Sequence, residues 1–426
     1  MLVFKFGGAS VKDGNAVKNV AKILGLFSDK DKVVVISAMG KTTNLLEEMV
    51  AALKDMNYPK FDFLKNQCYD FHLTILDELF AEKTHKVYLE LEAIFEKLSE
   101  KKEDFFSENY GFEYDQIVSL GEVISTLIVD AYLRELGDLS VWIDARKLLR
   151  SDDNYRESNI DWSKTEELIA TNVKPLFQKS KTLITQGFIA HTREGFTTTL
   201  GREGSDYTAG IFAYCLNAES VTIWKDVPGM LNADPKWFDD TIKLDKISFK
   251  EAIELAYYGA TVIHPKTIKP LQNMNIPLYV KSFVDPNAEG TVIQESAAFD
   301  HLVPSFIFKM KQVLFSITPR DFSFIAEENL SRIFDSLSQV GAKINLMQNS
   351  ALSFSFCLDQ EKVDIQEIIS LFTIEYEIRY NENLELVTIR HYNEETVNRV
   401  IENKEIVVEQ KTRQTIRILM KDALIS

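Results

Sequence analysis

A chain of 426 residues has the length for two or three domains, and its 45% apolar and 26% charged residues are those of an ordinary globular protein. The formal net charge of −16 argues against nucleic acid or an anionic membrane as the main partner, so an anionic ligand must be gripped by local cations. The three scattered cysteines, Cys68, Cys215 and Cys357, form no CxxC pair; they predict neither a disulfide framework nor a metal site and read as packing residues.

Met1-Leu-Val-Phe-Lys-Phe6 lacks the basic head, apolar middle and cleavage site of a signal peptide. Strongly apolar runs such as Val33–Met39 are far too short to span a bilayer, and a cytoplasmic protein is expected.

Leu2–Phe6 predicts a buried strand, followed by Gly7-Gly8 and a helix from about Gly14 to Phe27. Lys5 sits at the carboxyl end of that strand, where ligands bind in open α/β sheets. Lys32–Ser37 predicts a second strand covered on both faces. Gly40-Lys41-Thr42 imitates the tail of a P-loop, but Val35 stands where the first glycine of that motif must be, so this reading fails on spacing. Leu45 to Gly137 is helical by its three- and four-residue apolar spacing, and Glu122 lies in it among Leu120, Val123 and Ile124.

Leu139–Asp144 and Thr182–Gly187 predict further strands, the second leading into Thr197-Thr-Thr-Leu-Gly-Arg-Glu-Gly-Ser-Asp206 and an apolar helical run over Ala209–Leu216. There Ser205 reads as a helix N-cap with Asp206 in the first turn, an arrangement that aims backbone N–H groups at an anion. Ser220–Trp224 predicts a strand running into the Lys225-Asp-Val-Pro-Gly229 loop, Ile247–Gly259 a helix, and Ile276–Val280 a last strand. His264 precedes a proline and is given no catalytic role. The strand–helix alternation predicts an α/β fold, a mostly parallel sheet between helix layers with one helical insertion.

Beyond Phe299 the pattern changes. Val313–Ile317, helix Glu328–Gln339, Ile344–Met347, Leu352–Leu358 and helix Ile365–Phe372 follow a ferredoxin-like order, and Leu384–Arg390, helix Glu394–Ile401, Ile406–Gln410 and Thr415–Leu419 begin it again. Two small regulatory modules are expected.

Lys5-Phe-Gly-Gly8, Ser37-Ala-Met-Gly-Lys-Thr-Thr-Asn44, Leu120-Gly-Glu122, Leu200-Gly-Arg-Glu-Gly-Ser-Asp206, Lys225–Gly229 and Gly259-Ala-Thr-Val-Ile-His-Pro265 stand in an order that resembles the aspartate kinases. These have the amino-acid kinase fold and C-terminal ACT domains; without a homoserine dehydrogenase segment, the resemblance is to the monofunctional form. It implies a catalytic domain over residues 1–297 and ACT-like domains over 298–380 and 381–426, the second short and either nested with the first or in tandem with it. It also implies MgATP-dependent phosphorylation of the L-aspartate side chain, the first step toward lysine, threonine and methionine. By the resemblance, ATP and Mg2+ are the cofactors, lysine or threonine is the effector at the ACT domains, and the chain is a homo-oligomer, such as a homodimer, through them. The alternatives are an ACT-domain sensor with a vestigial kinase domain, or a related kinase with another acceptor.

The resemblance assigns Lys5 to charge stabilisation on the phosphoryl group and Asp206 to orienting it. Ser37, Thr43, Glu122, Arg202, Gly204 and Ser205 would bind the amino acid, Glu122 taking its ammonium and Arg202 its α-carboxylate. Lys5, Phe6, Gly7, Gly8, Lys225, Asp226, Leu231, Lys236 and Thr261 would bind the nucleotide. Glu203 stands where the family has glycine, Leu231 where it often has tyrosine, and Thr261 where many members have lysine. Glu203 is expected to point away from the phosphates, so that Glu203→Gly keeps or raises activity.

Overall fold

A computed structural model describes residues 1–104, 106–260, 263–301, 303–321 and 323–423. The chain forms two compact units: Met1–Met230 with Lys243–Ile253 and Thr261–Asp300, and Leu231–Ile242 with Glu254–Ala260 and His301–Ser426.

The first unit is built on an eight-stranded sheet. Its strands are β1 (Leu2–Phe6), β2 (Lys32–Ile36), β3 (Val141–Ile143), β4 (Thr182–Gln186), β7 (Ser220–Lys225), β8 (Lys246–Ser248), β9 (Leu278–Ser282) and β10 (Thr291–Gln294), in the order β3-β4-β2-β1-β7-β9-β10-β8. Every pairing is parallel except β9 with β10. The central strands β1, β2 and β4 are buried almost end to end, because helices cover both faces of a parallel sheet. A separate hairpin pairs β5 (Ile189–His191) with β6 (Thr197–Thr199).

Among the helices, α1 (Gly14–Gly25) starts where Asp13 accepts a hydrogen bond from the Ala16 amide at 2.7 Å, and buries Val17, Val20, Ile23 and Leu24 along one face. The helical insertion comprises α2 (Thr42–Lys54), α3 (Tyr58–Leu79), α4 (Lys86–Glu100), α5 (Tyr110–Val118) and α6 (Leu120–Glu135). The run Tyr110–Glu135 is long and apolar enough to cross a bilayer on composition alone, but most of it is buried, the mark of core helices. The remaining helices are α7 (Trp162–Asn172), α8 (Gly204–Leu216), α9 (Phe249–Tyr258) and α10 (Pro265–Asn273). The expected helix Ile247–Gly259 starts two residues late, because Ile247 and Ser248 pair with β10.

The second unit is one antiparallel sheet of β11 (Ser305–Pro319), β12 (Leu346–Asn349), β13 (Phe354–Asp359), β14 (Tyr376–Arg390), β15 (Lys404–Lys411) and β16 (Thr415–Asp422), in the order β12-β13-β11-β14-β16-β15. Helices α11 (Glu327–Gln339), α12 (Ile365–Phe372) and α13 (Glu394–Ile401) accompany it. Val313, Phe315, Ile317, Phe354, Phe356 and Phe372 centre one core, and Phe306, Val387, Ile389, Ile416 and Ile418 another. The expected boundary at 380/381 falls inside β14, whose first half pairs with the second half of β11 and whose second half pairs with the first half of β11. The two halves are thus interleaved on shared strands.

Candidate active site

The site grows from the carboxyl ends of β1 and β7 and the start of α8. Lys5, the fourth residue of β1, is 7% exposed, and its Nζ lies 2.8 Å from Oδ1 of Asp206. Asp206, in the first turn of α8, is fully buried, and the Lys225 Nζ at the end of β7 lies 4.0 Å from its Oδ2. Burial works to raise the Asp206 carboxyl, but the charges of Lys5 and then Lys225 outweigh it and hold it below the ordinary value. Gly7 lies under the Lys5 amine; a Cβ there would come 3.2 Å from Nζ. A Cβ on Gly8 would meet the Ala38 and Gly40 carbonyls at 2.8 and 2.9 Å, so only glycine lets the β1 and β2 turns close on each other.

The start of α8 differs from the expectation. Glu203, not Ser205, is the N-cap residue, with left-handed backbone (φ 55°, ψ 27°), and no side chain caps the first amides. A residue with a Cβ in that region strains the backbone by about 1–2 kcal/mol. Ser205 is buried, packed beneath Gly187 at the end of β4. The Glu203 carboxyl also does not point away. It is half-buried, and burial, followed by the Asp206 charge, raises its pKa above the ordinary carboxylate value.

Glu122, in the first turn of α6, is 3% exposed. Its Oε1 accepts the Ala38 amide at 3.3 Å, while its Oε2 is buried with no hydrogen-bond partner. Burial pushes its pKa up to about 8, against the Ala38 hydrogen bond and the Lys5 charge. A buried carboxylate oxygen left unpaired calls for a cation, and an ammonium group supplies one.

Arg202 is exposed and, with Thr43, lines a cavity of about 530 Å3 that also has Tyr114, Arg156 and Phe188 in its wall. The Ser37 amide donates to the Phe6 carbonyl at 3.0 Å and its carbonyl accepts Ser125 Oγ at 2.6 Å, so the Ser37 backbone is fixed at the mouth of β2. Phe6 itself is a packing residue: it is fully buried and stacked on Trp224 at 6.0 Å, which removes its ring from any nucleotide. Asp226 is exposed in the turn after β7. Leu231 and Lys236 belong to the second unit, and Thr261 lies outside the described residues.

Sequence reasoning missed Asp115. It is fully buried in α5, and its carboxylate accepts the Thr199 amide (2.9 Å), the Thr199 hydroxyl (2.7 Å) and the Arg156 amide (3.0 Å). It thereby fixes the strand that delivers Arg202 and the loop that delivers Arg156, another left-handed residue (φ 71°). Its position seven residues before Glu122 is the one trace it leaves in the sequence. Asp115→Ala strands three donors, two of them backbone, and is expected to lower the unfolding free energy of the first unit by about 2–4 kcal/mol. A urea midpoint unchanged from the parent would show that the hydrogen bonds are dispensable.

Comparison with known proteins points the same way. Residues 1–282 match the amino acid kinase family. The chain is 33% identical over 362 residues to the lysine-sensitive aspartokinase 3 of Escherichia coli K12, a match covering 84% of this chain and 78% of that protein. The crystal structure of E. coli aspartokinase III with aspartate and ADP superposes with a TM-score of 0.82 at 28% identity, covering 98% of this chain and 96% of that one. The structure of the same enzyme with lysine and aspartate gives 0.81 at 28% identity, covering 98% and 95%. With the ordered motifs on the expected strands, the chain belongs to the amino acid kinase family and, within it, to the aspartokinases.

Proposed function

We propose that the first unit divides its work between an amino-acid side built on Glu122 and Arg202 and a phosphate side built on Lys5, Asp206 and Lys225. The reaction is the transfer of a phosphoryl group from ATP to the side-chain carboxylate of L-aspartate, giving 4-phospho-L-aspartate and ADP. A carboxylate oxygen of the substrate attacks the γ-phosphorus, and the bond to the oxygen bridging to the β-phosphorus breaks. An aspartate side chain with a pKa near ~4 is already ionised, so no general base is needed. Catalysis reduces to alignment and charge neutralisation.

The observation that carries this division is the orphaned Glu122 Oε2, which fits the substrate ammonium, while the Lys5 charge acts on the same carboxyl. Arg202 would hold the α-carboxylate through two parallel hydrogen bonds, with the Thr43 and Ser37 hydroxyls alongside, Ser205 contributing a backbone amide, and Gly204, whose own amide donates to the Gly201 carbonyl at 3.0 Å, fitting against Phe188 for want of a Cβ. Lys5, held by Asp206, would meet the charge developing on the γ-phosphoryl oxygens, with Gly7, Gly8 and the uncapped amides of α8 around the phosphates. Mg2+ would arrive with the nucleotide as MgATP and would supply further positive charge on the phosphate side built by Lys5, Asp206 and Lys225. Lys225 and Asp226 complete the nucleotide contacts of the first unit in this reading.

The second unit reads as two interleaved ACT-like modules that take an amino-acid effector and join copies of the chain. Lysine is the first effector to try, because a similar enzyme is lysine-sensitive. A soluble, cytoplasmic enzyme suits this role. Incubation with MgATP, L-aspartate and hydroxylamine is expected to yield aspartyl hydroxamate, with little from glutamate; no hydroxamate above a Lys5→Met control would overturn the reading.

A further inference from the structure

Arg156 is the second arginine in the wall of the cavity of about 530 Å3 that Arg202 and Thr43 line. Its backbone lies in the left-handed region (φ 71°), which side chains resist and glycine adopts freely. That conformation is pinned by the buried Asp115 carboxylate, whose two oxygens accept the Arg156 amide at 3.0 and 3.2 Å. The guanidinium lies over the Tyr114 ring, 4.6 Å from its centroid, and 5.8 Å from that of Tyr110. A guanidinium over a ring meets it with its face and leaves N–H donors at its edge. Among the described residues those donors make no hydrogen bond, and the one ion pair, to the exposed Glu47, spans 3.8 Å.

We propose that Arg156 is a specificity-determining residue that shares the substrate α-carboxylate with Arg202. A carboxylate offers about four acceptor positions, and one arginine fork fills two of them. The remaining two suit a second guanidinium whose donors are unused. Carboxylates stand around Arg156 as well: Glu47 in the ion pair, Glu157 in the cavity wall, Asp115 on its amide, and Glu122, whose charge also reaches Tyr114. An excess of positive charge is therefore not what draws the ligand; the open fork of donors is. On binding, the substrate replaces the long, solvent-exposed contact with Glu47 by a direct one. Glycine would relieve the backbone at this position, so the strained arginine is kept for its side chain. This rests on the reading of Arg202 as the group that takes the α-carboxylate.

The test is steady-state kinetics of the full chain at saturating MgATP, beside a urea melt of each variant. Arg156→Gly is expected to raise the aspartate KM roughly 5- to 10-fold with kcat within about twofold, the mark of lost ground-state binding. Its unfolding midpoint should stay level or rise, because glycine relaxes the backbone and the Asp115 bonds go to the amide. Arg156→Gln removes the charge but keeps most of the stem; the same rise in KM is expected, and it serves if the glycine variant fails to fold. The α-amide of L-aspartate lacks the α-carboxylate; as a competitive inhibitor it should bind parent and variant within about twofold of each other. An unchanged aspartate KM, or an equal loss for the α-amide, overturns the role of Arg156. An Arg202→Ala variant that keeps the parent KM instead overturns the underlying assignment of the α-carboxylate.

Discussion

Lys5→Met is expected to lower kcat by roughly 10³-fold while leaving aspartate binding within a few-fold of the parent. Methionine keeps the length and most of the volume of the lysine stem, so β1 and its neighbours keep their packing. What is lost is the cation 2.8 Å from Asp206, the group placed to meet charge on the transferring phosphoryl oxygens. That charge is greater in the transition state than in bound ATP, so the loss falls on kcat rather than on substrate affinity. The variant also leaves Asp206 fully buried with only Lys225, at 4.0 Å, to neutralise it, so some stability is lost as well. A thermal melt separates the two effects: a folded protein without turnover isolates the catalytic one. A fall in kcat of less than about tenfold would mean that another group carries the phosphoryl charge.

Glu122→Gln is expected to raise the aspartate KM by roughly 30- to 150-fold, the loss of about 2–3 kcal/mol from a buried charge-assisted contact. The amide keeps the shape and can still accept the Ala38 amide. Proton linkage gives an independent readout. Burial holds the empty-site Glu122 at about 8, so at pH 7 it carries a proton that a bound ammonium displaces. Aspartate binding should therefore release close to one proton in the parent and none in the variant, seen as a dependence of binding heat on the ionisation heat of the buffer. The same shift acts on stability. A folded-state value of about 8 against an ordinary 4.5 means that this group's contribution is fully present below 4.5 and is lost as pH rises toward 8. Without substrate, Glu122→Gln should lose less stability between pH 6 and pH 9 than the parent. An unchanged KM with unchanged proton release would remove Glu122 from the amino-acid site.

Much of this site was legible because its residues sit where short-range rules apply. Leu2–Phe6 is apolar at every position but Lys5, so both the strand and its exceptional residue stand out, and β1 has those bounds. Helices α12 and α13 also match, since their apolar spacing and caps are local features. The β5–β6 hairpin escaped notice because strands of three residues have no period to read, and their pairing is decided by partners six to ten residues away. Strands β11 and β14 were seen only in part. Polar residues around Lys309–Gln312, where the register shifts, hide the continuity that makes the two modules share one sheet.

Glu203 shows a different limit. Its side chain was expected to turn outward because a carboxylate beside phosphates is unfavourable. That expectation weighed its charge alone, whereas burial, followed by the Asp206 charge, raises its pKa above the ordinary carboxylate value. Asp115 was illegible for the same reason: its three hydrogen-bond donors lie more than 40 positions downstream, and nothing near Asp115 in sequence announces them.

The most direct measurement of the divided site is aspartate affinity, by calorimetry, in Lys5→Met and Glu122→Gln compared with the parent. Lys5→Met should bind aspartate within about threefold of the parent, and Glu122→Gln at least roughly 30-fold more weakly. Equal losses in the two variants, or a loss confined to Lys5→Met, would contradict the assignment of Glu122 to the amino acid and Lys5 to the phosphoryl group.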